Sequence, residues 1–395
     1  MIKIPHNCTG CSACIQICPK NCIKPSVDSE GFMIPRIEAT KCIECNLCER
    51  VCPAININPS SNPSEFLVGQ NESSETIYKS SSGGIFAMIC EIVLKKGGII
   101  YGAALDHSQN LSVKHIRINN IKDLHHILGS KYTQSNTGDS FKYAKKDLSE
   151  GKMVLFSGTP CQIAGLKKFL RKEYNSLITI DIICHGVPSP DIFLKYVKET
   201  EANESINLGE ALKITDFSFR DKKHGWNAFG VSLRLQSVKN PDITKTIFRN
   251  RYDDLFMKGF LNDLFLRKSC HDCPVKNFSS SSDITLADAW RIETVMYSPS
   301  FDKGYSLVIP HTKGGLNILK SLNIKWHNVN RNFILHHNPA AYQSVRPHRK
   351  RQQFFYMISQ GKSVSDAISK CLPTPTLFSK IKWSINQRLK HYVKK

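Results

Sequence analysis

Eight of the nine cysteines in the first 52 residues form two copies of one spacing, Cys8-x2-Cys11-x2-Cys14-x3-Cys18-Pro19 and Cys42-x2-Cys45-x2-Cys48-x3-Cys52-Pro53. Each cysteine of the second copy lies 34 residues after its counterpart, so the segment is an internal duplication. A 4Fe-4S cubane offers an iron at each of four tetrahedral corners, and a tight loop with a thiolate at every third position can wrap three of them. Where this spacing occurs twice, the fourth cysteine of each run ligates the other cluster. The spacing therefore predicts two 4Fe-4S clusters held by Cys8, Cys11, Cys14, Cys18, Cys42, Cys45, Cys48 and Cys52, and one-electron chemistry. Disulfides would need an exported chain, and the start Met1-Ile2-Lys3-Ile4-Pro5 does not resemble a signal peptide. Zinc ribbons use two-cysteine knuckles, not runs of four.

Four more cysteines have informative positions. Cys161 follows an expected strand, Met153 to Phe156, through Ser157-Gly158-Thr159-Pro160, and Cys184 directly follows another, Leu177 to Ile183. Ligands of open α/β sheets bind beyond the carboxyl ends of strands, so both thiols can face one crevice. Cys270-His271-Asp272-Cys273-Pro274 adds a two-cysteine knuckle and brings the number to four. Four thiolates suit a third 4Fe-4S cluster; they also suit a zinc ion, or four buried thiols with other employment. Cys22, Cys90 and Cys371 fit no pattern, and Cys22, aligned with Asn56 in the repeat, is expected to be a small core residue.

Positioning these groups takes far more chain than the duplicated segment. A length of 395 residues corresponds to ~2 to 3 domains, and Asn58-Pro59-Ser60-Ser61-Asn62-Pro63-Ser64 is a linker by composition. Expected boundaries are 1–60 for the two-cluster domain, 75–345 for a core and 346–395 for a basic helical extension. Apolar residues at Ile85, Met88, Ile89, Ile92 and Val93 predict a helix that opens at Ser82-Gly83-Gly84. Such a helix start offers free N–H groups to an anion, or is an ordinary turn. Downstream, Gly98 to Leu105 predicts a strand, Ser140 to Ser149 a helix and Gln162 to Lys172 a helix. The region Phe217 to Asn250 is β-like, with alternation from Gly230 to Leu235. The fold class is therefore α+β for the small first domain and α/β with a mixed sheet for the core.

The charge of +21 is uneven: from Lys303 to Lys395 there are 17 Lys or Arg and one acid, Asp366. That excess predicts an anionic partner such as a membrane surface, an acidic electron carrier or a phosphorylated substrate. Nucleic acid is disfavoured because no recognised binding module accompanies the charge. Beyond Pro373 and Pro375, Leu377, Ile381, Ile385, Leu389 and Tyr392 recur at helical spacing among Lys380, Lys382, Arg388, Lys390, Lys394 and Lys395. Such a helix lies on an anionic membrane or packs on the core. No apolar run approaches the ~18 residues that span a bilayer, so the expected location is cytoplasmic, with this helix as a peripheral contact to the inner face of the membrane.

The segments Ser82-Gly83-Gly84, Gly129-Ser130-Lys131-Tyr132-Thr133-Gln134-Ser135, Phe156 to Leu166, Cys184-His185-Gly186-Val187-Pro188-Ser189 and Ser282 to Asp288 stand in a telling order. Over roughly residues 1 to 360 the chain resembles the beta subunit of the deazaflavin-coenzyme hydrogenase/dehydrogenase family, with a fused two-cluster ferredoxin domain. The resemblance implies an FAD-binding core that also holds a 4Fe-4S cluster, here on Cys161, Cys184, Cys270 and Cys273. It implies that Ser82, Gly83 and Gly84 approach the flavin pyrophosphate, and that Lys131, Gln134, Ser135, Gly158 and Thr159 line the cofactor site. The chain departs from the family at one motif: Gly-Asp-Phe-Trp becomes Ala287-Asp288-Ala289-Trp290, so use of a deazaflavin does not follow.

The expected function is an iron-sulfur flavoprotein oxidoreductase that relays electrons between clusters and FAD to a small organic substrate or deazaflavin-type coenzyme, served by a redox partner. His185 is the candidate proton carrier, or a residue that hydrogen-bonds a turn. Lys222, Lys223, His224 and Trp226 form a loop for an anionic substrate, or a solvated hairpin. The alternative is a non-catalytic electron-transfer adaptor for a partner enzyme, associated with the membrane surface in polysaccharide metabolism. No G-x-G-x-x-G or P-loop is present, which tells against classical NAD binding or nucleotide hydrolysis.

Overall fold

The computed structural model describes residues 4–373; the basic segment from Leu377 to Tyr392 lies outside them. The duplication is repeated in the backbone. Gly10 and Glu44 have φ of +67° and +53°, and Ser12 and Asn46 have +67° and +56°. Left-handed residues interleaved in this way turn successive N–H groups inward and make an anion-binding concavity of the kind iron-sulfur sites use. Each loop runs into a short helix, Ala13–Ile17 and Leu47–Arg50. The strands Ile23–Val27 and Met33–Ile37 pair antiparallel between the two copies, with Ile23 opposite Ile37.

The core is built on an eight-stranded mixed sheet. Its four central strands, Ile99–Asp106, Val154–Ser157, Leu177–Ile182 and Ile284–Asp288, are parallel neighbours in that order. They are nearly continuous buried runs, as strands covered on both faces must be. Antiparallel strands extend both sides: Ser112–Ile118 beside Ile99–Asp106, and Ser306–Pro310, Leu67–Gly69 and His327–Asn328 beyond Ile284–Asp288.

A separate antiparallel sheet of Leu212–Asp221, Gly230–Ser237 and Thr244–Asn250 accounts for the β-like region. The expected alternation holds there: Val231, Leu233 and Leu235 are fully buried. They join Phe193, Tyr196, Phe217, Phe219 and Phe256 in an aromatic-rich core, into which helices Arg351–Ser359 and Val364–Cys371 also pack Phe354, Val364 and Ile368.

The two-cluster domain is docked tightly on this core. Cys11, Ala13 and Val51 share a hydrophobic cluster with Phe141, Ile163 and Leu166 from helices Ser140–Ser149 and Pro160–Leu170. Gly165 permits the approach, since a Cβ there would lie 2.9 Å from Cys11 Sγ. Hydrogen bonds fix the register: Phe141 N donates to Gln16 Oε1 (2.9 Å), Ser189 Oγ to Glu30 O (2.6 Å), and Arg351 takes the Glu30 carboxylate with both Nη atoms.

Candidate functional site

The twelve cysteines of the expected ligand set line three cavities, four to each, and Cys22 joins the lining of one of them. The inner cavity of the two-cluster domain is lined by Cys8, Cys11, Cys14 and Cys52. The outer one is lined by Cys42, Cys45, Cys48 and Cys18. Each run thus supplies three thiols to one cavity and lends its fourth to the other, as the spacing predicts. Cys161, Cys184, Cys270 and Cys273 line the third cavity, in the core. Among the described residues, no three His, Cys, Asp or Glu side chains converge at single-ion distance. Four cysteines lining one cavity are the donor set that a 4Fe-4S centre would need.

The core quartet is assembled by the sheet. Strands Val154–Ser157 and Leu177–Ile182 are parallel neighbours, with Phe156 opposite Thr179, so the chain leaves both strands at one edge of the sheet. Cys161 stands in the first turn of helix Pro160–Leu170, whose start is fixed by Pro160 and by a capping box between Thr159 and Gln162. Cys184 lies just beyond the neighbouring strand. Residues 187–189 then pair with 265–267: Arg267 N donates to Val187 O, Ser189 N to Phe265 O, and Pro188 bridges Leu266. That ladder brings Cys270 and Cys273 to the same place, and Val187 N donates to Cys270 Sγ at 3.4 Å.

Burial pushes the thiols of Cys161, Cys270 and Cys14 up to about 11, 12 and 12, and raises Cys11, Cys184 and Cys273 as well. Thiols in such surroundings are protonated at neutral pH unless metal displaces the proton. Two cations offset the burial: Arg267 acts on Cys161 and Cys270, and Lys276 on Cys184 and Cys273. Lys276 Nζ itself donates to Cys184 O and Ala340 O, both at 2.7 Å.

Cys22 is buried as expected, but at the wall of the outer cavity, with its Sγ 3.2 Å from Cys18 Sγ. Its position outside both runs of the spacing concealed this.

His185 lines the mouth of the core cavity and shares a 2.6 Å hydrogen bond between Nε2 and Asp263 Oδ1. The residues Ser82, Gly83, Gly84, Lys131, Gln134, Ser135, Gly158 and Thr159 fall in two neighbourhoods. Ser82 Oγ donates to Tyr305 O, Gly83 N to Ser306 Oγ, and Gly84 caps helix Ile85–Lys95 in the left-handed conformation. Lys131 Nζ donates to His126 O and Leu128 O, and burial pushes it down to about 7.

Gln134 bridges Thr9 O and Arg267. Ser135 joins a network with His115 and Gln162, beside Gly158 and Thr159. Most of these polar groups are therefore engaged within the protein. Buried groups without a hydrogen-bond partner stand beside them: Ser80 Oγ, Thr133 Oγ1, and Nε and Nη2 of Arg220.

The loop from Lys222 is only partly solvated. Lys222 Nζ donates to the carbonyls of Ile77, Ser82 and Lys303, which ties the Ser82 loop in place. Trp226 is buried, stacks on Trp290 at 4.8 Å, and donates through Nε1 to Asp288, which also binds Arg220. Ala289 is fully buried against Ile292 and Tyr305, so the small residue of the divergent motif fills a tight site.

Residues 151–327 match the domain described as the carboxy-terminal part of the coenzyme F420 hydrogenase/dehydrogenase beta subunit, and residues 7–56 match the 4Fe-4S dicluster domain. No curated protein matches the chain. Among solved structures it is similar to a chain of the F420-reducing NiFe hydrogenase complex from Methanosarcina barkeri, at 16% identity and a TM-score of 0.44, covering 81% of this chain and 94% of that one. Among the described residues no helix is long and apolar enough to cross a membrane. The chain therefore joins a segment matching the 4Fe-4S dicluster domain to one matching the carboxy-terminal part of the coenzyme F420 hydrogenase/dehydrogenase beta subunit, and is an iron-sulfur electron-transfer protein related to that subunit.

Proposed function

We propose that this chain is an electron-relaying oxidoreductase subunit with three 4Fe-4S sites in line and a flavin beside the third, acting on a small organic substrate or a deazaflavin-type coenzyme. The observation that carries the reading is the juxtaposition of cavities: Thr9 lines both the inner and the core site. When bound, clusters carry single electrons and a flavin exchanges them for pairs.

The chain's own residues divide the remaining work. Cys45 is exposed, so the outer site is the natural docking point for a redox partner, whereas Cys11 is buried against the core. The description of the matched domain as part of a beta subunit supports such a partner. Cys161, Cys184, Cys270 and Cys273 fit an anionic centre, since Arg267 and Lys276 stand beside them with hydrogen bonds only to uncharged oxygens. Ser80, Thr133 and Arg220 hold unpartnered buried donors that a flavin's polar edge or phosphates can take. His185, oriented by its Nε2 hydrogen bond to Asp263, leaves Nδ1 to exchange a proton with a substrate in the core cavity.

Flavin analysis after denaturing anaerobically prepared chain tests the flavin half of the reading. About one FAD per chain is expected, with at least tenfold weaker retention in Arg220→Gln; flavin-free protein that cannot be reconstituted with FAD would overturn it.

A further inference from the structure

Arg267 is 4% exposed and stands between two cysteine cavities. It lines the core cavity with Cys161 and Cys270, and the peptide it grips belongs to the inner one. Nε donates to Cys8 O (2.8 Å), and Nη1 donates to Met33 O (3.0 Å) and Gln134 Oε1 (2.9 Å). Every one of these acceptors is uncharged. The nearby Glu30 carboxylate is held by Arg351 and Lys268. A buried guanidinium without a counter-charge is costly, so its surroundings must supply negative charge in some other form. Four thiolates around a cluster do so on each side.

Local packing leaves Arg267 little freedom. A Cβ on Gly10, itself at φ +67°, would lie 2.9 Å from Nη1 and 2.7 Å from Gln134 Nε2. The guanidinium also covers the Phe32 ring at 5.3 Å. The Cys8–Cys11 loop is therefore clamped to the core by Arg267 at Cys8 O, with Gln134 at Thr9 O and Thr137 at Cys11 O beside it.

We infer that Arg267 is the shared counter-ion of the inner and core centres: its charge stabilises electrons on both, and its hydrogen bonds hold the Cys8–Cys11 loop where the two exchange electrons directly. The inference rests on the proposed reading that both sites hold clusters. Each transfer moves one electron, oxidising one centre and reducing the other by one, with no bond made or broken.

The test is a redox titration of anaerobic full-length protein followed by electron paramagnetic resonance, with the outer centre's signal assigned by its loss in Cys45→Ser. In Arg267→Gln the inner and core centres should shift about tenfold toward their oxidised forms, about 59 mV for a one-electron couple, while the outer centre stays put. Arg267→Lys should keep the potentials and slow reduction of the core centre in stopped-flow, because the charge remains and the forked hydrogen bonds are lost. Unmoved inner and core potentials in Arg267→Gln, or an equal shift of the outer centre, would overturn the inference. Should Arg267→Gln fail to assemble, Arg267→Lys decides: retained potentials support the counter-ion role and shifted ones refute it. A wild-type protein with only two cluster signals would instead refute the underlying reading.

Discussion

At the scale of single residues, neighbours decide what a side chain can do. Gln134, Ser135 and Thr159 carry groups that can meet a cofactor, yet each is engaged in holding the protein together. His115 shows this with a pH signature. Its Nε2 donates to Ser157 O and its Nδ1 accepts from Ser135 Oγ, a pattern only the neutral ring can make. Burial accordingly pushes its pKa down to about 4. Between about 4 and the unfolded value of about 6.5 the unfolded chain binds the extra proton, so stability rises with pH across that window and is lost on acidification. Anaerobic urea denaturation from pH 7 to 4 should show this slope, reduced in His115→Gln; an unchanged slope would remove His115 as its source. The pairing with Ser135 was not legible beforehand, because it depends on the bridge between Lys114 and Asn136.

At the scale of elements, helix Pro160–Leu170 does three things within about two turns of sequence. It presents Cys161 to the core cavity, caps itself through Thr159 and Gln162, and makes room for Cys11 at Gly165. The strand before it and the helix itself were legible from periodicity, although the helix begins at Pro160, two residues earlier than expected, because proline suits the first helical position. The role of Gly165 was not legible, since its neighbour comes from the other end of the chain. Gly165→Val should cost ~1–3 kcal/mol by overpacking and should loosen the inner site before the core site. Thermal denaturation with iron analysis checks this, and full iron with unchanged stability would contradict it. The short strands Leu67–Gly69 and His327–Asn328 were missed for a different reason: two or three residues carry too little pattern to register.

At the scale of the whole molecule, the duplicated cysteine run and the mixed sheet were legible because both are written in local spacing. The core quartet was legible only as a possibility, since Cys161, Cys184 and the Cys270–Cys273 knuckle meet through a parallel strand pair and a short ladder that no spacing records. Folding adds the order of the sites: an outer one with an exposed cysteine, an inner one pressed on the core, and a third that shares Thr9 with the inner one and whose Arg267 donates to Cys8 O. The same arrangement places two cations beside the core thiols, where they favour an anionic occupant. Iron and acid-labile sulfide per chain, measured on anaerobically prepared full-length protein, test the central claim most directly. Three clusters give about 12 irons and about 12 sulfides, whereas about eight of each would show that the core cysteines hold no cluster and would contradict the three-site relay.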